Sequence, residues 1–437
     1  MPETVSLPAQ RCTPPRVLHA LDPAAATADR QPLLLAAAVT AGLGTGCSVY
    51  PHGGVTFGHI VLLALLPVVA SAVSRSGVAR ATLALLALWC FAAVMTSLSV
   101  HDTVHHLVFS LCRPLTVALS LCGAIWAFTQ RVAVARAYAA SMVLGLLAAS
   151  VLSPSTGFAQ DPWKFGLGPA VSLAAVLAAA VLVRRGRRVL GAALVAGLAL
   201  VNLEWGFRSE FLVVSLAAVT AALAGRRGLR RQSWARCLRV GAALAVTTVL
   251  IYAGYGCLAG SGQLGAAQQY KWNRQSHVAG GLLVGGRAEA LTSEVVVAQT
   301  PLFGRGISPQ MGLQTREAFL RRLQARGVPV NDQVSRYYFS HGLYLHSTFF
   351  QTWAENGPLV LPGLLLPLLL VGRALAAAIR SGSGPAALVF SFLTWQLAWD
   401  MAFSPWPRLE GAALGTAAGA ALAYLAAGQD TAAAELT

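Results

Sequence analysis

The sequence predicts an all-α polytopic membrane protein with about twelve transmembrane helices and one large, partly helical outer loop. Hydrophobic residues make up 56% of the 437 and charged residues only 11%, against ~25% charged in soluble chains. The apolar residues gather in runs close to the ~20 residues that cross a bilayer. Basic residues alternate with those runs, crowding one set of connections and avoiding the other.

In chain order the apolar runs lie near 32–50, 55–74, 80–99, 106–129, 133–152 and 167–183. The second half has runs near 189–204, 211–225, 236–257, 345–372, 384–402 and 409–427. Two junctions are marked only by punctuation, PHGG at 51–54 and RRGRR at 184–188. Residues 1–31 are proline-rich and lack an apolar core, so they read as a cytoplasmic tail and the first run as a retained anchor rather than a cleaved signal. The predicted organisation is therefore a tail at 1–31, helices one to nine over 32–257, a loop at 258–344, three further helices over 345–427, and a short tail at 428–437. The abundant Ala and Leu suit helices that must satisfy their own backbone in lipid.

The net charge of +16 comes from 32 Lys and Arg against 16 Asp and Glu, with Lys164 and Lys271 the only lysines. With the amino terminus inside, 19 arginines fall on the inner side, while the short outer loops keep Lys164, Arg208 and Arg408. The positive-inside rule then puts both termini in the cytoplasm. Most of the charge is thus a matter of topology and anionic lipid, which argues against a nucleic-acid partner. Arg113 is the only basic residue placed clearly inside a predicted span, away from its ends. The seven cysteines are scattered with no CxxC pair, so they read as small buried residues and imply no metal site.

Residues 258–344 break the short-loop pattern, and long loops of this kind usually carry function. The loop holds Lys271, Arg274, Arg287, Arg305, Arg316, Arg321, Arg322, Arg326 and Arg336 against Glu289, Glu294, Glu317 and Asp332. Within it, MGLQTREAFLRRLQARG has helical spacing, with Leu313, Phe319 and Leu323 on an apolar side.

Three motifs carry candidate chemistry. NLEWGFRSEF (202–211) sets Glu204, Arg208 and Glu210 at the outer end of an apolar hairpin, where a charge is costly unless paired or facing water. VGGRAEALTSEVVVAQTPLFGRG (284–306) puts glycines beside Arg287 and ends in a turn containing Arg305. Glycine allows close backbone approach to an anion, and guanidinium meets phosphate oxygens in pairs. It lacks the spacing of a nucleotide-binding P-loop. LHSTFFQTWAENGPL (345–359) offers His346 as a proton acceptor, with Glu355 nine residues on and Gly357-Pro358 breaking the helix. His341 is a rival to His346. The HDTVHH segment (101–106) has metal-like His spacing, but only Asp102 and no cysteine nearby.

Taken together and in this order, the three motifs resemble the O-antigen ligase family of membrane glycosyltransferases. FRSEF matches the family's arginine at the outer start of a helix. Gly286-Arg287 and PLFGRG match its glycine-arginine and Pro-hydrophobic-Phe-Gly-x-Gly elements. His346, Glu355 and Gly357 match its histidine motif with Glu and Gly nine and eleven residues later. The chain departs from the pattern at Phe207, where a small residue is usual, at Ser347 in place of Asn, and at Val360 in place of a second glycine.

The resemblance implies a GT-C-like fold in the bacterial inner membrane, with a periplasmic cavity and no metal or other cofactor. The donor would be O-antigen glycan on undecaprenyl diphosphate and the acceptor a sugar hydroxyl of the lipid A core. Arg208 and Arg287 would hold the diphosphate and His346 would act as base, with inversion at the anomeric carbon. Arg305, Lys271 and Arg274 would hold acceptor phosphates or the donor head group. Glu355, Asp400 and His341 would complete the substrate-binding set, with Asp400 orienting a sugar or His346. An O-antigen polymerase or a protein O-oligosaccharyltransferase would share the donor chemistry. A secondary transporter or lipid flippase would instead favour ionisable residues at mid-membrane, and a lipid-binding scaffold would tolerate loss of His346.

Overall fold

The computed structural model describes residues 31–47, 56–154, 157–225, 234–278, 289–299, 302–307, 309, 312–327, 330, 345, 347–404 and 410–434. Every regular element among them is helical. The first half contains α1 (Gln31–Gly46), α2 (Phe57–Ala64), α3 (Leu66–Ser74), α4 (Gly77–Ser99), α5 (Val104–Thr129) and α6 (Val132–Leu152). A π turn (Trp163–Leu167) leads into α7 (Gly168–Arg184), α8 (Arg188–Glu204), α9 (Arg208–Ala224) and α10 (Trp234–Gly260). The long loop contributes α11 (Ala266–Ser276), α12 (Glu289–Gln299) and α13 (Leu313–Ala325). The chain closes with α14 (Thr348–Asn356), α15 (Leu361–Ser381), α16 (Gly384–Phe403) and α17 (Glu410–Ala434).

Among the described residues, eight helices are long and apolar enough to cross a membrane, and the protein is membrane-embedded on that ground. α2 and α3 pass the same test only as a pair, bent by 69°. Pro67 near the start of α3 explains the break, since it cannot continue the backbone hydrogen bonding of α2. Each of the remaining predicted runs also has a helix, but α1, α8 and α9 span only 16, 17 and 17 residues. At 1.5 Å per residue these reach about 25 Å, short of a hydrocarbon core of about 30 Å. The run predicted at 345–372 is two helices, because Gly357 takes a left-handed φ of +83° and ends α14. A 3-10 turn over Pro358–Val360 restarts the chain toward α15.

Lipid offers no hydrophobic drive for helices to associate, so close packing of small residues supplies the contact. α17 shows how. Gly411, Gly415 and Gly419 recur every four residues along it, and a Cβ on Gly415 or Gly419 would strike the α5 backbone at Val117 or Leu121. α5 is accordingly the most enclosed of the spans. It lies in a core that includes Val117, Leu121, Ile125 and Trp126 with Leu414, Ala418 and Ala421 of α17.

Two ends of the bundle differ in their polar chemistry. At one, buried Arg236 of α10 donates to the carbonyls of Ile379 and Arg380 at 3.2 Å, meeting the negative end of α15. Arg380 lies over the Trp234 ring at 4.7 Å. The other end carries the long loop, with Arg305 in its described part. In α13, Phe319 and Leu323 are fully buried, as the periodicity predicts, while Leu313 is 77% exposed. Leu313 stands in the first turn, just past Gly312, where it clears the packed face.

Candidate functional site

The short helix α14 organises this end. Its entry is set by Ser347, whose hydroxyl caps the Phe350 amide at 3.3 Å and donates to the Met401 carbonyl at 2.9 Å. Thr348 donates to the Ser404 carbonyl at 3.0 Å, so the start of α14 is tied to the end of α16. Unlike an ordinary amphipathic helix, α14 buries polar residues, with Gln351, Thr352, Glu355 and Asn356 all enclosed. Buried polar groups require partners, and α4 and α5 provide them for Glu355 and Asn356. Arg113 forms an ion pair with Glu355, and Gln351 donates to the other carboxylate oxygen at 3.0 Å. Ser110 donates to the Asn356 side chain at 2.8 Å, and Thr96 to the Asn356 carbonyl at 3.4 Å.

The turn over residues 302–306 sits on the end of this helix. The amides of Arg305 and Gly306 donate to the carbonyls of Ala354 and Glu355, at 2.8 and 3.0 Å. Those carbonyls have no partner within so short a helix, and the turn satisfies them. Glycine is required at 304 because a Cβ there would overlap the Glu355 carbonyl. Gly306 has φ +77° and passes over Asp102. The Arg305 guanidinium donates to Gln299 at 3.0 Å, and Thr315 donates to the same Gln299 oxygen at 2.6 Å, linking the turn to α12 and α13. Under the turn, Asp102 bonds His106 Nδ1 at 2.5 Å. His101 just before it is the one non-glycine residue with positive φ among the described residues, at 54°. HDTVHH thus forms a carboxylate–imidazole pair rather than a gathering of three histidines.

Arg208 opens α9, after a turn in which Gly206 takes φ +71° against Gln268 of α11. The half-buried guanidinium reaches Gln275 at 3.5 Å and stacks over the Tyr255 ring at 5.1 Å. Tyr255 in turn donates to Gln268 at 3.2 Å. Arg208 makes no ion pair with Glu204 or Glu210 among the described residues. Glu204 is exposed, and Glu210 is 1% exposed, inside the bundle.

The structure therefore joins part of the second motif to the third, while Arg208 packs with residues of α10 and α11. Lys271 and Arg274 are exposed on α11, whose Trp272 packs against Tyr252 and Tyr255. Two of the candidate residues already have partners within the chain. Glu355, expected to bind substrate, is 1% exposed and its carboxylate is taken by Arg113 and Gln351. Asp400, expected to orient a sugar or His346, accepts from Gln396 and Ser404 at 2.8 Å each. Arg287, His341 and His346 lie outside the described residues. Arg113 was visible in the sequence as a lone basic residue within a span, but its partner 242 positions away was not. Neither a family model, nor a curated protein, nor a solved structure matches the chain.

Proposed function

We propose that the protein is a membrane glycosyltransferase of the O-antigen ligase kind, acting at the periplasmic face of the bacterial inner membrane. It transfers glycan from undecaprenyl diphosphate to a sugar hydroxyl of the lipid A core. The acceptor oxygen attacks the anomeric carbon with inversion. The bond from that carbon to the diphosphate breaks, and its electron pair leaves with undecaprenyl diphosphate. The hydroxyl proton passes to His346. Arg208 and Arg287 stabilise the diphosphate as its charge develops, which fixed guanidinium groups do well in a water-poor site without a divalent ion. Arg305, Lys271 and Arg274 hold acceptor phosphates or the donor head group. The twelve helical runs form a GT-C-like bundle with both termini cytoplasmic.

The observation that carries this reading is Arg208. A guanidinium at the mouth of an apolar hairpin, held by an amide and an aromatic ring and by no carboxylate among the described residues, keeps its charge for an incoming anion. The test is transfer by purified protein from undecaprenyl-diphosphate-linked glycan to a lipid A core acceptor, with Arg208→Ala and His346→Ala beside it. Wild-type rates in both variants would refute the assignment. An O-antigen polymerase or a protein O-oligosaccharyltransferase shares this donor, and swapping the acceptor for unlinked repeat units or a protein separates them.

A second reading has one observation behind it. Glu210 is a carboxyl buried in the apolar bundle, as intramembrane acids are in transporters and flippases. It predicts lipid movement across vesicles that Glu210→Gln abolishes, with no glycan transfer.

A further inference from the structure

We propose that the Arg113–Glu355 pair is a positioning element of this site: it fixes the rotation of α14 and thereby seats the turn that carries Arg305. The inference rests on the reading of Arg305 as a ligand for acceptor phosphate, and it assigns roles to two residues that contact no substrate.

A nine-residue helix has little stability of its own, so tertiary contacts decide how it lies. On α14, Gln351 and Glu355 are four residues apart and share a face, and Ser110 and Arg113 share a face of α5 in the same way. The two faces meet through Arg113–Glu355 and Ser110–Asn356. Pinning the Glu355 side chain to α5 also fixes the direction of its carbonyl, because side chain and carbonyl turn together with the helix. That carbonyl and its neighbour on Ala354 are the acceptors for the amides of Gly306 and Arg305. With no Cβ at 304, the turn lies close against the Glu355 carbonyl. The chain of contacts therefore runs from a charge within α5, through α14, to the backbone of Arg305, whose guanidinium remains at the edge near Gln299.

A plain structural role predicts only loss of stability, and removal of both partners is the way to separate the two. Replacing a buried ion pair by apolar residues of similar size is often neutral for stability. The double variant Arg113→Leu/Glu355→Leu is therefore expected to fold, while α14 loses the constraint. Two measurements read the consequence. Hydrogen exchange at the Arg305 and Gly306 amides, which report the docked turn, should quicken by about tenfold or more. The KM for a phosphorylated core acceptor should rise by about tenfold with kcat changed far less, the mark of lost binding rather than lost chemistry.

Glu355→Gln, which keeps shape but removes the charge, should move both in the same direction by a smaller factor. Unchanged exchange in both the double variant and Glu355→Gln would overturn the proposal, as would quickened exchange with wild-type kinetics in an active enzyme. If the wild type transfers nothing, the proposed function fails. Positioning of the turn is then judged on exchange alone, where protection lost with the pair supports it.

Discussion

Arg113 and Arg208 both place a guanidinium in apolar surroundings, and the protein treats them in opposite ways. Arg113 is 6% exposed and meets a carboxylate, whereas Arg208 is half-buried and meets an amide and a phenol ring. A buried charge removed from water needs a counter-charge, and Glu355 supplies it to Arg113. At the edge of the bundle, water and the ring face suffice for Arg208. The first arrangement neutralises itself and becomes scaffold. The second leaves net positive charge at a place where the chain could receive an anion. Position within a motif does not separate these roles, since Glu355 belongs to a motif and Arg113 to none.

The sharpest way to break this contrast is to remove one partner on the scaffold side. Glu355→Ala strands Arg113 in the interior, and the expected loss of stability is about 3–5 kcal/mol, seen as a lowered melting temperature in detergent. A melt close to wild type would mean that Arg113 relaxes to another partner and that the pair is not the anchor described. Arg208→Ala is the mirror experiment. Transfer should fall by about 10²–10³ while the melt stays near wild type, because no counter-charge is left behind. Arg208→Lys should recover only part of the rate, since an ammonium lacks the planar fork that meets two phosphate oxygens. Equal losses of fold and rate in Arg208→Ala would make Arg208 scaffold as well.

The helical runs were legible because lipid demands long apolar stretches, and each predicted run contains helix, with eight helices among the described residues long and apolar enough to span. The short lengths of α1, α8 and α9, and the 69° bend between α2 and α3, were less visible, because apolar composition continues through a helix end or a break. The break at Gly357-Pro358 was readable from residue chemistry alone. So was the apolar side of α13 at Phe319 and Leu323, though Leu313 faces away. The site was legible as a set of motifs but not as an arrangement. PLFGRG and the α14 segment meet through backbone hydrogen bonds, which leave no signature in side-chain identity beyond the glycines. The fate of Glu355 depended on Arg113, far away in the chain, and no spacing rule joins them.

Gly304 tests the backbone side of that arrangement. Gly304→Ala would place a methyl against the Glu355 carbonyl, and overpacking of this kind costs about 1–3 kcal/mol. If the turn yields instead of the fold, Arg305 moves, and the acceptor KM rises with only a small change in melt. A wild-type melt together with wild-type kinetics would show that the contact between turn and helix is looser than its hydrogen bonds indicate.

The smallest expected effect concerns how Arg208 is held. Tyr255 offers both a ring under the guanidinium and a hydroxyl to Gln268, and the two contributions can be separated. Tyr255→Phe keeps the ring and loses one hydrogen bond, a change of about 0.5–1.5 kcal/mol in local stability. Tyr255→Leu also removes the ring face, adding about 0.5–1 kcal/mol if the stacking at this half-exposed site has its usual strength. The ring should matter more to transfer than the hydroxyl does, because it fixes the plane in which the guanidinium meets an anion. A rate that falls in Tyr255→Leu but holds in Tyr255→Phe is the expected result. Equal rates in the two variants would mean that Gln275 alone orients Arg208, and the contrast with Arg113 would then rest on a single neutral amide.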